Sequence, residues 1–343
     1  MVKTLSVTSL DEVRVLVKDF PGPDETAAAA ARHREANLTK PAGSLGRLES
    51  FAEWLSAWQG RHPPDMSNPR AAVFIGHHGI AKLGVSAYGP EVTDQMHNNY
   101  HLGGAGFNAM CKSMGVPYDI CPIDLDSSTQ DFTQGPAMTE AEMLHAINVG
   151  MNVVKPGQSL FCPGEMGIAN TASAAAVLAA LYKEKAEDWT GMGSGVQGPY
   201  LKKKIEVVQQ GLDLHTQDDP DPLEIMRRLG GRELAAMIGV MIAGRYRRVP
   251  VMIDGFLCSS SAMVLEMMQP GAIDHCQFSH ASAEVGHARL MKRIGARPIL
   301  DLDMRLGEAS GAVLAFGILR SAACCHTELL TFEESSVSRN QPL

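Results

Sequence analysis

Short apolar runs alternate along the chain with longer stretches whose apolar residues recur at helical spacing. Strand-like runs lie at 71–76, 118–125, 159–162, 249–254, 274–279 and 298–302, most of them closing on a polar or glycine-rich turn. Helical periodicity predicts helices at 92–112, 140–154, 171–187, 199–212, 222–229, 232–245, 259–268 and 283–294. Alternation of this kind predicts an α/β fold: a mostly parallel sheet with helices on both faces and ligands outside the carboxyl ends of the strands. The chain ends read differently. Helices are expected at 25–35 and 46–59, and a last one after Ala309. The expected organisation is a large α/β substrate-binding domain over 61–308 and a small helical domain built from 1–60 together with 309–343.

Composition narrows the class of function. Apolar residues make up 45% and charged residues 20% of 343, which suits a globular protein with a sizeable core. A net charge of −8 repels a phosphate backbone, so no nucleic-acid partner is expected. The basic clusters at 202–204 and 245–248 read as solvated faces. The 7 cysteines form no CxxC pair, which points to a reducing compartment. Residues 1–19 lack the basic flank and apolar run of a signal peptide, and the longest apolar stretch, 234–244, is too short to span a bilayer. A cytoplasmic protein without a membrane partner is expected.

Three segments carry candidate chemistry. In the run from Pro163 an apolar strand meets a glycine turn and an alanine-rich helix, which puts Glu165 at a strand end. There it could accept turn N–H groups or act on a ligand. The segment Gly191-Met-Gly-Ser-Gly-Val-Gln-Gly-Pro is a flexible loop leading into a helix that carries Lys204. Free N–H groups, a helix dipole and a lysine together favour an anion. The third segment places Glu308 between a strand and a long apolar helix, where it could cap the helix or face the cleft.

Two competing signals are weaker. Gly193, Gly195 and Gly198 satisfy GxGxxG, but the polar stretch 184–190 cannot supply the strand that a dinucleotide-dependent oxidoreductase needs before it. His77, His78, His275, His280 and His287 show no metal-ligand spacing, so no metal is expected.

Together the segments Lys40-Pro-Ala-Gly-Ser-Leu-Gly-Arg-Leu-Glu, Gly84-Val-Ser-Ala-Tyr, Gly164-Glu-Met-Gly-Ile-Ala-Asn-Thr, Gly191-Met-Gly-Ser-Gly, Ile253-Asp-Gly-Phe, Ser279-His-Ala-Ser-Ala-Glu-Val-Gly-His and Arg305-Leu-Gly-Glu-Ala-Ser-Gly-Ala resemble one family. It is the nicotinate-nucleotide dimethylbenzimidazole phosphoribosyltransferase family of cobamide lower-ligand assembly. The resemblance covers about residues 37–332.

It implies a Rossmann-like homodimer that moves the 5-phosphoribosyl group from nicotinate mononucleotide to 5,6-dimethylbenzimidazole or a related base, without a cofactor. It also implies roles for particular residues. Glu308 would be the general base and Glu165 a second carboxylate near the ribose. Gly191, Gly193, Ser194, Gly195 and Lys204 would form the phosphate site, with Gly167 and Ser282 holding the nucleotide. Ser86, Gln95, Met166 and Leu306 would surround the base. The chain departs from the family pattern at His77, Gly89, Ala169, Ala281 and Val285, none of them a proposed catalytic group. A diverged paralogue that binds a nucleotide or base without turnover is the alternative reading.

Overall fold

A computed structural model describes residues 5–339. Five parallel strands form the main sheet in the order β2-β1-β3-β4-β5: β1 (Pro69–Ile75), β2 (Tyr118–Pro122), β3 (Leu160–Met166), β4 (Val251–Ile253) and β5 (Cys276–Phe278). Side-chain alternation divides the sheet into two faces. Ala72, Phe74 and Phe161 belong to one core; Ala71, Val73, Ile75, Leu160 and Cys162 belong to the other.

The first face is covered by α6 (Glu140–Val153), α7 (Asn170–Tyr182), α10 (Arg232–Arg247) and α11 (Gly255–Met268). Helices α6 and α10 approach almost backbone to backbone. A Cβ on Gly150 would lie 1.8 Å from the Ala236 carbonyl oxygen and one on Gly239 2.0 Å from that of Ile147, so neither position admits a side chain. The second face is covered by α3 (Arg47–Gln59), α5 (Gly106–Met114) and α13 (Ser310–Glu328).

The chain ends meet. Leu38 and Thr331 form an antiparallel bridge, and Arg34 in α2 (Glu25–Glu35) donates to the carbonyls of His326, Thr327 and Leu329, which caps the end of α13. Helix α1 (Leu10–Lys18) was not expected. Leu10, Val13 and Val17 recur on one face and join the first core, and Ser9 accepts from the Glu12 amide as an N-cap.

Three expectations need correction. The helix expected at 92–112 is broken into α4 (Val92–Leu102) and α5 by Gly103, whose φ of +76° ends the first helix in the left-handed conformation. The run at 298–302 yields only β7 (Leu300–Asp301), which pairs with β6 (His280–Ala281) outside the main sheet. The basic clusters are not simply solvated. Lys204 is buried, and Arg245 lies over the Trp58 ring, 4.1 Å from its centroid, while donating to the Pro21 carbonyl. Among the described residues no helix is long and apolar enough to cross a membrane.

Candidate active site

The order 2-1-3-4-5 reverses direction between β1 and β3, which opens a crevice at their carboxyl ends. A cleft of about 660 Å³ lies there, walled by the loops after β1, β3, β4 and β5 and by the turn before α13. Helices α7 and α11 begin at the cleft, with Asn170 and Gly255 in its wall. Their unpaired N–H groups and dipoles favour negative charge.

Glu165 and Glu308 both line this cleft and both are buried. Glu165 ends β3 and accepts from Asn170 Nδ2 at 2.5 Å. Burial, followed by the negative charges of Glu233, Asp254 and Glu308, pushes its carboxyl well above the usual range. Glu308 is raised too, by burial above all, but the amide of Phe107 at the start of α5 and the Tyr100 hydroxyl work the other way. Two buried carboxyl groups, both raised above the usual range, thus face one cleft.

The turn that carries Glu308 is held in a costly conformation. Gly307, Glu308 and Ala309 have φ of +81°, +58° and +58°, and only glycine adopts this region freely. Asp254, at the end of β4, holds the following helix in place. Its Oδ1 accepts from the Ala312 amide at 2.9 Å and lies 3.5 Å from His280 Nδ1. The backbone strain thus aims one carboxyl group into the cleft.

Opposite this turn lies the glycine loop. Gly193 and Ser194 reach the cleft; Ser194 Oγ is 2.9 Å from Ser86 Oγ, and Arg305 Nη1 donates to the Gly193 carbonyl at 2.9 Å. Lys204, from α8 (Pro199–His215), sits beneath the loop rather than in the cleft wall. Its Nζ donates to Thr171 Oγ1 at 2.8 Å and to the Gly191 carbonyl at 3.0 Å, and burial lowers its pKa to about 8.

The cleft therefore gathers Glu308, Glu165, Gly167, Gly193, Ser194, Ser282, Ser86, Met166 and Leu306. Gly191, Gly195 and Lys204 lie outside its wall, as does Gln95, which is exposed on α4; Val92 and Met96 of that helix face inward instead. The stretch before the glycine loop forms a short 3-10 turn (Ala186–Asp188) and no strand, so the dinucleotide fingerprint lacks its context. Two of the histidines make buried structural bonds: His78 pairs with Glu233 at 2.5 Å and with Ser173, and His287 Nδ1 accepts from the Ser282 amide at 2.9 Å, while His280 lines the cleft.

Sequence reasoning missed Asp254, Asn170, Glu284 and Arg305. Asp254 was findable, because it ends an apolar strand before a glycine just as Glu165 does. Asn170, Glu284 and Arg305 stood inside quoted motifs but carried no signal that set them apart.

A buried pair of carboxyl groups facing a glycine loop at a topological switch point is a site for group transfer to or from an anionic ligand. By its match to the family model described as phosphoribosyltransferase over residues 20–337, the chain belongs to that family. Particular relatives sharpen the class. The chain is 49% identical over 331 residues to the nicotinate-nucleotide–dimethylbenzimidazole phosphoribosyltransferase of Cereibacter sphaeroides, covering 96% of this chain and 98% of that one. It is 48% identical over 334 residues to the protein so named from Methylorubrum extorquens, covering 97% and 98%. The crystal structure of the Thermus thermophilus protein of that name is similar with a TM-score of 0.85 and 35% identity, over 92% of this chain and 100% of that one.

Proposed function

We propose that this chain transfers the 5-phosphoribosyl group of nicotinate mononucleotide to 5,6-dimethylbenzimidazole or a related base, giving α-ribazole 5′-phosphate and nicotinate. The observation that carries the reading is the pairing of Glu165, near the end of β3, with Glu308, in the turn before α13, as two buried carboxyl groups in the wall of one cleft. In this reaction the leaving ring nitrogen departs neutral, so alignment of the incoming azole behind the anomeric carbon is the main demand. As one azole nitrogen attacks, the proton on the other becomes acidic. Glu308 takes that proton, a contribution of roughly 10² to 10⁴ in rate. Glu165 holds the ribose by hydrogen bonding.

The phosphate lies on the loop of Gly191, Gly193, Ser194 and Gly195, with Lys204 supplying charge from below and Gly167 and Ser282 holding the nucleotide. Ser86, Met166 and Leu306 surround the base, and Met96 takes the place on α4 expected of Gln95. We place the protein in the cytoplasm, in keeping with its 7 free cysteines. The helical domain of 1–60 and 309–343 belongs to the same proposal, supported by the bridge between Leu38 and Thr331, with α1 packed instead on the first core of the sheet. So does a homodimer, for which Leu102 leaves apolar surface exposed outside the cleft. Light scattering on a size-exclusion column would read its mass.

The test is direct. Purified protein is incubated with nicotinate mononucleotide and 5,6-dimethylbenzimidazole, then analysed for free nicotinate and a new nucleotide. Equimolar release of both supports the proposal; tight binding of either substrate with no product points to the non-catalytic paralogue and overturns it.

A further inference from the structure

We propose that Asn170 is the positioning residue of Glu165: its side-chain amide holds Glu165 Oε2 and thereby leaves Oε1 as the oxygen that meets the ribose. The inference rests on the function proposed above and concerns a residue that reaches the chemistry through Glu165.

Asn170 opens α7, and its backbone amide donates to the Gly167 carbonyl at 3.1 Å, which ties the turn between β3 and the helix. An asparagine at a helix start ordinarily serves as the cap, its side-chain oxygen accepting from amides of the first turn. Here the cap position falls to Ala169, and no side chain caps the helix. Asn170 stands one residue too far along to do so. Its side chain turns back across five residues instead, and Nδ2 donates to Glu165 Oε2 at 2.5 Å. Both residues are buried, Asn170 at 8% and Glu165 at 6% exposure. Leucine would fill the same space without the cost of burying an amide, so packing alone does not account for asparagine.

The chemistry of the amide fixes the carboxyl group. An amide NH2 has protons to give and no lone pair to offer, so Oε2 is an acceptor whether Glu165 is ionised or not. In the protonated form the hydrogen therefore resides on Oε1. Among the described residues Oε1 has no hydrogen-bond partner, and it is not sealed in the interior as Glu233 Oε2 is. The missing side chain of Gly307 keeps it open, since a Cβ there would lie 2.3 Å away. Oε1 is thus the oxygen available to a ligand in the cleft, as an acceptor when ionised and as a donor when protonated, and a ribose hydroxyl answers either. Without the amide the carboxyl group turns about its last bond and carries its proton on either oxygen.

The experiment is a double-mutant cycle on nicotinate mononucleotide binding, measured by calorimetry in the parent, Asn170→Leu, Glu165→Ala and the double variant. Asn170→Leu should weaken binding roughly tenfold in the parent background and cause no further loss once Glu165 is gone. Equal losses in both backgrounds, or none in the parent, overturn the proposal. A second readout does not need the leucine variant to fold. In 15N-asparagine-labelled protein the Asn170 side-chain amide, assigned by its absence from Asn170→Ser, should show one proton far downfield of the other, and the separation should collapse in Glu165→Ala. An ordinary pair of amide protons in the parent would mean that Nδ2 does not donate to Glu165 and overturns the proposal as well. A parent protein that binds the nucleotide but releases no nicotinate sinks the proposed reaction and leaves the cycle and the resonance to decide the role of Asn170.

Discussion

Gly307 rests directly on the Glu165 carboxyl group: a Cβ at Gly307 would lie 2.3 Å from Glu165 Oε1. The residue before Glu308 is thus seated on the other carboxyl of the pair, and the spacing of the two is set by a missing side chain. Gly307→Ala both clashes with Glu165 and forces alanine to φ near +81°. The expected cost is about 1–2 kcal/mol of stability. Displacing both carboxyl groups should cost about 10² in kcat. Melting and steady-state kinetics separate the effects, and an active Gly307→Ala protein would show that the spacing does not matter.

Glu308→Gln keeps shape and hydrogen bonding but cannot accept a proton. Turnover should fall by at least ~10² while both substrates still bind. Removing a buried carboxyl group should leave the melting temperature unchanged or higher. Full single-turnover rate in a folded variant would assign Glu308 to helix capping alone.

Lys204 bridges Thr171 and the Gly191 carbonyl beneath the glycine loop. Lys204→Met fills the same space without charge or donors, so KM for the nucleotide should rise far more than KM for the base. In the parent protein the same KM should climb as pH passes about 8, where Lys204 loses its proton. Equal changes for both substrates would remove Lys204 from the phosphate site.

Burial holds His287 neutral in the fold, with its pKa lowered to about 3, while its Nδ1 accepts from the Ser282 amide. The unfolded chain protonates below about 6.5 and the folded one does not, so this residue contributes a loss of stability as pH falls from about 6.5 toward about 3. Urea denaturation at pH 7.5 and 5.5 should show a smaller difference for His287→Gln than for the parent. Parallel shifts would argue against the linkage.

Ala169, one of the positions where the chain departs from the family pattern, holds φ of +81° at the start of α7. Relief of left-handed strain outweighs the added freedom of the unfolded chain, so Ala169→Gly should stabilise by about 0.5–1 kcal/mol. Its melting temperature measures this directly.

The sequence by itself determined the elements and their class. Period-2 and period-3.6 patterns placed five main strands and most helices, turns after apolar runs located Glu165 and Glu308, and glycine density before a helix located the loop at 191–195. These signals are local, so they survive without coordinates. Where local signals were ambiguous the reading failed: the break at Gly103 sits inside a stretch that keeps helical periodicity on both sides, and Lys204 looks like surface until α7 and the glycine loop cover it. Only the tertiary structure decided that the Glu165 carboxyl is raised, because burial and the charges of Glu233, Asp254 and Glu308, far apart in sequence, act on it together. Burial and through-space charge depend on which elements meet, and that is the one quantity a linear pattern does not carry.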